Sequence, residues 1–158
     1  MPDPSPLLGA GERAWLDRLI MPLPRGATIL DLGCGGGEPI DRYLIDHGFH
    51  IVGIDSNPIA IELAHTRFPR ERWLLDDMRR AALDESFAGI VAWNSLSLLP
   101  PADQDAMAER IMAWLKPGGR LLCNADVAAL ARRGMVEMAH VDSDACCDGA
   151  RVSLMRKP

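Results

Sequence analysis

A chain of 158 residues is long enough for one domain with a sizeable core and too short for two of ordinary size. Its 48% hydrophobic and 25% charged residues are those of a folded globular protein. A net charge of −5 and a pI near 5.3, with 17 basic residues spread along the chain, argue against a nucleic-acid binder, which gathers its basic residues on one face. No apolar run approaches the roughly 20 residues needed to cross a bilayer. Met1 to Leu8 carries prolines where a secretory signal would carry a basic stretch and then an apolar one. The expected protein is cytoplasmic, a monomer or homodimer, with a small-molecule substrate and neither a membrane nor a nucleic acid as partner.

Residues 1–10 read as a flexible leader. From Gly11 to Met21, the recurrence of Trp15, Leu16, Leu19 and Ile20 predicts an amphipathic helix ahead of the sheet. Ala27 to Leu32 is a short apolar run with β-branched Thr28 and Ile29, set off by Pro24 and Gly26, and predicts a buried strand. Gly33, Gly35, Gly36 and Gly37 follow, where missing Cβ atoms allow positive φ and let a ligand approach the backbone. Pro39 suits a first helical turn, Ile40, Tyr43 and Leu44 have core-facing spacing, and Gly48 ends the helix after His47. The pattern is an acid followed by alternating glycines, between a strand and a helix.

A dinucleotide fingerprint would place a third glycine at position 38, where this chain has Glu38. A carboxylate there competes with a phosphate for the N–H groups of the first helical turn, which argues for a ligand without a pyrophosphate and against a nicotinamide dehydrogenase. His50 to Ile54 predicts a second strand ending on Asp55, placed to take both hydroxyls of a ribose. Asn57 caps the helix 58–66, with Pro58 at its first position. A third strand at Arg72 to Leu75, a loop over 76–86 and a fourth strand at Ala88 to Ala92 come next. In the helix from Ala102 to Leu115, Met107, Ile111, Trp114 and Leu115 form one core-facing stripe. Pro117-Gly118-Gly119 then turns the chain into a fifth strand, Arg120 to Asn124. Asp126 is placed to cap a short helix to Arg133, Gly134 ends it, and Met135 to Val141 and Arg151 to Arg156 read as two further strands.

Such alternation predicts an α/β protein with a parallel sheet, right-handed crossovers and helices on both faces. Ligands of such sheets bind beyond the C-terminal ends of the strands. Asp31, Asp55, Asp77, Asn94 and Asp126 all fall near such ends.

With Asp31-Leu-Gly-Cys-Gly-Gly-Gly37, Asp55 with Ser56, Asp76-Asp77-Met78-Arg79, Ala92-Trp93-Asn94-Ser95 and Leu115-Lys-Pro-Gly-Gly-Arg-Leu-Leu122 in this order, the chain resembles the class I S-adenosylmethionine-dependent methyltransferases. The resemblance implies a three-layer, doubly wound, seven-stranded sheet of order 3-2-1-4-5-7-6 with the seventh strand antiparallel. It implies one domain over 1–158, with the helix at 11–21, a cofactor-binding core at 27–124 and a short helix and two strands at 125–158. It further implies S-adenosylmethionine as cofactor, S-adenosylhomocysteine as product, and in-line methyl transfer to a small-molecule acceptor.

By the same resemblance, the backbone around Gly33, Gly35 and Gly37 faces the methionine part, and Asp31 holds its amino group directly or through water. Asp55 with Ser56 takes the ribose hydroxyls. Asp77 accepts from the adenine amine, and the Met78 N–H donates to the ring. Trp93 and Asn94 face the methyl-transfer site, where a neutral Asn94 is not expected to serve as a general base. Arg13 is within the region that covers the methionine carboxylate, though a solvated arginine is expected. Only residues 125–134 separate the fifth strand from the sixth, where related enzymes carry a substrate-covering insertion. A second reading is therefore a cofactor-binding module without its own catalysis, completed by a partner or second subunit.

The four cysteines lack metal-ligand spacing, and no metal is expected. Cys34 and Cys123 read as small apolar fillers, and Cys146-Cys147 as an oxidation-sensitive pair in an exposed loop. His47, His50, His65 and His140 share no motif and are expected to be structural or exposed. Arg67, Arg70, Arg72, Arg79 and Arg80 are expected to form a solvated surface around the third strand.

Overall fold

The computed structural model describes residues 7–147 and 149–158; most of the expected leader, residues 1–6, and the side chain of Cys147 lie outside the described residues. Seven strands form one sheet: β1 (Thr28–Leu32), β2 (His50–Asp55), β3 (Arg72–Leu75), β4 (Phe87–Ala92), β5 (Leu115–Cys123), β6 (Val136–Asp144) and β7 (Ala150–Arg156). Their order is β3-β2-β1-β4-β5-β7-β6. The first five are parallel, and β7 runs antiparallel to both β5 and β6. Helices α1 (Ala10–Ile20), α2 (Ile40–Asp46), α3 (Pro58–Arg67), α4 (Pro101–Trp114) and α5 (Ala128–Arg132) cover the two faces. The doubly wound architecture and its strand order are those expected of the sequence.

The period-2 alternation of strands divides the core into two layers. Leu30 and Leu32 of β1, Ile90 of β4 and Leu121 of β5 pack with Met107, Ile111 and Trp114 of α4. Ile29, Ile51, Val91 and Leu122 point the other way, onto Leu16 and Leu19 of α1, Leu44 of α2 and Ile61 of α3. Asp31 lies between Leu30 and Leu32, so its side chain belongs to the face that α1, α2 and α3 cover. On α2 the fully buried residues are Asp41 and Leu44, whereas Ile40 and Tyr43 are only half-buried. The apolar pattern of that helix therefore misplaces its inner face by part of a turn.

Helix ends follow their local chemistry. Asn57 Oδ1 accepts from the N–H groups of Ile59 (3.0 Å) and Ala60 (3.5 Å), with Pro58 at the first helical position. Gly48, at φ 89°, closes α2 as expected. Several boundaries differ from expectation, among them that of β6, which runs on to Asp144. β5 begins already at Leu115, paired with Phe87, before the chain detours through Lys116–Gly119 and rejoins β4 at Arg120 opposite Gly89. At the other end, Val127 rather than Asp126 occupies the cap of α5, and Asp126 Oδ1 accepts from Ala128 N–H (2.8 Å) one position upstream.

Cys34 and Cys123 are buried fillers, as expected. Cys146 is not in an exposed loop. It is half-buried against α1, where a Cβ added at Gly11 would lie 3.0 Å from its own Cβ. All four histidines are exposed. Among the described residues no helix is long and apolar enough to cross a membrane.

Gly53 shows how closely the sheet is packed near the candidate site. It pairs with Asp31 of β1 on one side and Trp73 of β3 on the other. A Cβ added at Gly53 would lie 2.5 Å from the Trp73 ring and 2.8 Å from Cys34 Sγ. The indole, 4% exposed, is held by its Nε1–H donating to Phe68 O (2.9 Å) and cannot swing aside. Overpacking of this kind costs about 1–3 kcal/mol. Gly53→Ala is expected to lose that much stability in urea unfolding, with an unchanged denaturant slope.

Candidate functional site

The turn after β1 is folded back onto the tip of β2. Gly33 N–H (2.8 Å) and Cys34 N–H (3.0 Å) both donate to Ile54 O. Gly33, Gly35 and Gly37 take φ values of 84°, 57° and 81°, the left-handed region that a residue with a Cβ adopts only at a cost. At Gly33 there is also no room: an added Cβ would lie 2.7 Å from Ser95 Cβ, whose hydroxyl donates to Leu32 O (2.6 Å).

Asp55 ends β2 and fastens this turn. Its Oδ2 accepts from Gly35 N–H (2.8 Å) and its Oδ1 from Asn57 N–H (2.9 Å). Each oxygen thus has one lone pair committed to the backbone and one left for a ligand. The carboxylate is oriented before any ligand arrives.

A cleft of about 340 Å³ opens at these strand ends, lined by Gly33, Asp55, Ser56, Asp76, Asp77, Met78, Arg79, Asn94 and Ser95 among others. It gathers Gly33, Asp55, Ser56, Asp77, Met78 and Asn94 of the expected site. Asp31, Gly35, Gly37 and Trp93 do not line it. Trp93 is half-buried against the core layer of α1, α2 and α3, and Asp31 is 3% exposed.

The Asp77 carboxylate is already engaged. Arg79 donates from Nε (3.0 and 3.1 Å), Nη2 (2.7 Å) and its backbone N–H (2.9 Å), and its Nη1 reaches Asp103 (2.9 Å). These contacts hold the Asp77 carboxyl below the usual range, at about 2. The surface read as solvated thus contains an arginine that locks one wall of the cleft. Arg67 is drawn in as well, its Nη1 donating to Gly36 O (3.3 Å).

Asn94 has φ 54°, a left-handed value outside glycine, and its N–H donates to Asn124 Oδ1 (2.6 Å) at the end of β5. Asn124 is 4% exposed, and its Nδ2 has no partner among the described residues. It borders a second, wider cleft of about 670 Å³, whose walls include Asp126, Glu137 and Arg151. There Arg151 is held by Glu137 (2.8 and 3.0 Å) and Asp142 (2.8 Å). The strained Asn94 and its bond to Asn124 join the two clefts. Asn124 was visible in the sequence only as the last residue of a strand.

Beneath the glycine turn lies a feature that the motif did not announce. Asp31 and Asp41 are both buried and act on one another, and neither oxygen of Asp41 has a hydrogen-bond donor among the described residues. Burial is the leading cause that raises Asp31 to about 7, and the same cause raises Asp41 well above the ordinary carboxyl range. One polar residue on the inner face of α2 was the available signal. Glu38, by contrast, is answered: its buried carboxylate accepts from Arg42 Nε (2.7 Å) one turn along the helix.

Comparison with known proteins agrees with this geometry. A family model described as a methyltransferase domain matches residues 29–119. The chain is 31% identical over 148 residues to methyltransferase GfsG of Streptomyces halstedii, covering 86% of this chain and 51% of that protein. It is 31% identical over 104 residues to trans-aconitate 2-methyltransferase of Variovorax paradoxus, covering 64% of this chain and 39% of that one. It therefore spans about half or less of the length of these curated relatives. The crystal structure of a TehB-like SAM-dependent methyltransferase from Corynebacterium glutamicum superposes with a TM-score of 0.74 at 26% identity, over 91% of this chain and 88% of that one. With its sheet order, its glycine turn and more than half its length matched, the chain belongs to the methyltransferase domain family, within the class I S-adenosylmethionine-dependent methyltransferases.

Proposed function

We propose that this chain holds S-adenosylmethionine across the tips of β1, β2 and β3 and delivers its methyl group to a small-molecule acceptor. The observation that carries the reading is one cleft in which the strained glycine turn, the pre-oriented Asp55 carboxylate and the Asp77–Met78 turn converge. Asp55 takes the ribose hydroxyls on the lone pairs left free by Gly35 and Asn57. Ser56 borders the same sugar, and Asp77 and Met78 flank the adenine. Gly33, Gly35 and Gly37 keep the backbone close to the methionine part, with Asp31 beneath it.

The lining suits a cation and not a diphosphate. Asp55, Asp76 and Asp77 outnumber the basic Arg79, whose guanidinium is spent on Asp77 and Asp103. When bound, the cofactor supplies a methyl group made electrophilic by its sulfonium sulfur. The protein then needs mainly to align donor and acceptor, an effect that supplies about 7–11 kcal/mol in favourable systems. Trp93 and Asn94 at the end of β4 stand on the acceptor side, and Asn94 N–H holds Asn124, which borders the wider cleft. That cleft, opening beyond β5 and β7, is the acceptor's place in this reading. Likeness to an enzyme named for trans-aconitate supports a small acceptor.

Calorimetric titration with S-adenosylhomocysteine tests the proposal. Saturable one-to-one binding is expected, with no heat from NAD under the same conditions. A chain that binds the dinucleotide instead, or neither ligand, removes the reading. Labelled-methyl transfer to an extract of small metabolites then separates a self-sufficient enzyme from a binding module.

A further inference from the structure

Two buried carboxyl groups in contact cannot both be ionised without a large cost, and neither of them can donate a hydrogen bond unless it carries a proton. Asp31 and Asp41 are 3% and 0% exposed. Among the described residues, no N–H or hydroxyl donates to either oxygen of Asp41, while its side chain meets that of Asp31. The fold creates the pair. Strand alternation turns Asp31 toward α2, and the helix brings Asp41 inward one turn before Leu44. The neighbours that act on the pair are acidic too: Asp55 beside Asp31 and Glu71 beside Asp41, while the nearby Cys34 thiol is pushed up by burial and by the aspartate carboxylates and stays neutral. Glu71 is otherwise engaged by Ile51 N–H (2.7 Å) and His50 (3.6 Å).

We propose that Asp41 is a positioning residue of the cofactor site: it keeps one proton between the two buried carboxyls, donates it to Asp31, and so holds Asp31 as the single anion beneath the glycine turn. This rests on the reading that Asp31 faces the cofactor's amino group. The pair titrates as a unit. Its first charge appears as pH rises through about 7, because Asp41 stays protonated and its hydrogen bond lowers Asp31 relative to burial alone. As pH falls through about 7, Asp31 gains a proton, the anion disappears and the grip on an ammonium group weakens. Asp41 thus sets the pH range over which the cofactor is held, without touching it.

The test compares the full chain with Asp41→Asn and Asp41→Ala. The amide of Asp41→Asn can still donate to Asp31, whereas Asp41→Ala leaves Asp31 without that donor. Two measurements are made on each protein across about pH 5–9, a window that brackets the raised value of Asp31. The first is thermal unfolding without ligand. Groups whose folded pKa is raised favour the fold below the unfolded value of 3.8, and that advantage is lost as pH rises toward the folded value. The wild-type midpoint should therefore fall from pH 5 to 8 more steeply than that of Asp41→Asn, which lacks one such group. The second is affinity for S-adenosylhomocysteine. The asparagine variant should keep the wild-type pH profile, while Asp41→Ala should move its midpoint up by about one unit, equivalent to about fivefold weaker binding at pH 7.

Identical unfolding profiles for wild type and Asp41→Asn overturn the shared proton. Affinity profiles in which Asp41→Ala overlies wild type overturn the positioning role. A wild-type chain that ignores S-adenosylhomocysteine overturns the cofactor reading and Asp41's part in it, and the unfolding curves report on the proton separately.

Discussion

Replacing Asp55 with alanine is expected to weaken S-adenosylhomocysteine binding by about 100-fold or more, without unfolding the chain. Two hydroxyl hydrogen bonds to a charged acceptor contribute about 1.5–3 kcal/mol each, and each 1.4 kcal/mol is tenfold in affinity. The same substitution releases Gly35 N–H and Asn57 N–H, so the glycine turn also loses its fastening to β2. Asn57 is exposed and Gly35 half-buried, so water can reach the freed N–H groups, and the loss of stability is expected to be roughly 1–2 kcal/mol. Asp55→Asn keeps one acceptor oxygen and presents a donor where the second was; its affinity should fall between the two. Calorimetry on variants with native near-ultraviolet circular dichroism separates binding from folding. If Asp55→Ala bound as tightly as wild type, Asp55 would be a turn carboxylate and nothing more.

The glycine run supplies the second large effect, and its four members are expected to differ. Alanine at Gly33 meets a left-handed φ of 84° and Ser95 Cβ at 2.7 Å. The first costs about 1–2 kcal/mol and the second a further 1–3. A loss of about 2–5 kcal/mol is a large part of the stability of an ordinary domain and lowers the melting temperature by roughly 10 °C at this chain length. Gly37→Ala should be nearly as harmful, since Phe68 lies 2.9 Å from the added carbon at φ 81°. Gly35→Ala carries the φ cost alone, because no atom lies within 4 Å of its added Cβ. Gly36→Ala should be mildest, because its φ is ordinary and its close neighbours, Leu63 and Arg67, are ends of flexible side chains. Differential scanning fluorimetry should return the order Gly33, Gly37, Gly35, Gly36 from most to least damaging. Equal losses at all four would remove the argument that each glycine is there for its own reason.

Strand periodicity, glycine and proline punctuation, and the Asn57 cap carry local information, and the alternating elements and parallel sheet followed from them, whereas the strand order and the antiparallel seventh strand came from the family resemblance. Chain order placed Asp55 and Asp77 near strand tips, and the family resemblance added Ser56 and Met78; all four line one cleft. The partners of those residues were not legible. Arg79 is next to Asp77 in sequence, but its second anchor, Asp103, lies on α4. The bond from Asn94 to Asn124 joins two strands whose pairing appears only once the sheet is assembled. Asp41 was hidden for a different reason: an acidic residue on a helix is read as its wet side, and only packing against β1 shows that this one points inward. Trp93 stands at the end of the fourth strand as expected, and its half-buried packing against the core layer of α1, α2 and α3 was not legible in the sequence.

The Trp73 indole resting over the bare backbone of Gly53 ties two positions into a single evolutionary choice. A lineage that enlarges residue 53 must first shrink residue 73, and one that trims the indole opens a void that a methyl at 53 would partly refill. Each step alone crosses a valley of lowered fitness, whereas the exchange made jointly could be nearly level. Drift at this corner of the sheet should therefore proceed by paired replacement, with the floor under the glycine turn held level throughout.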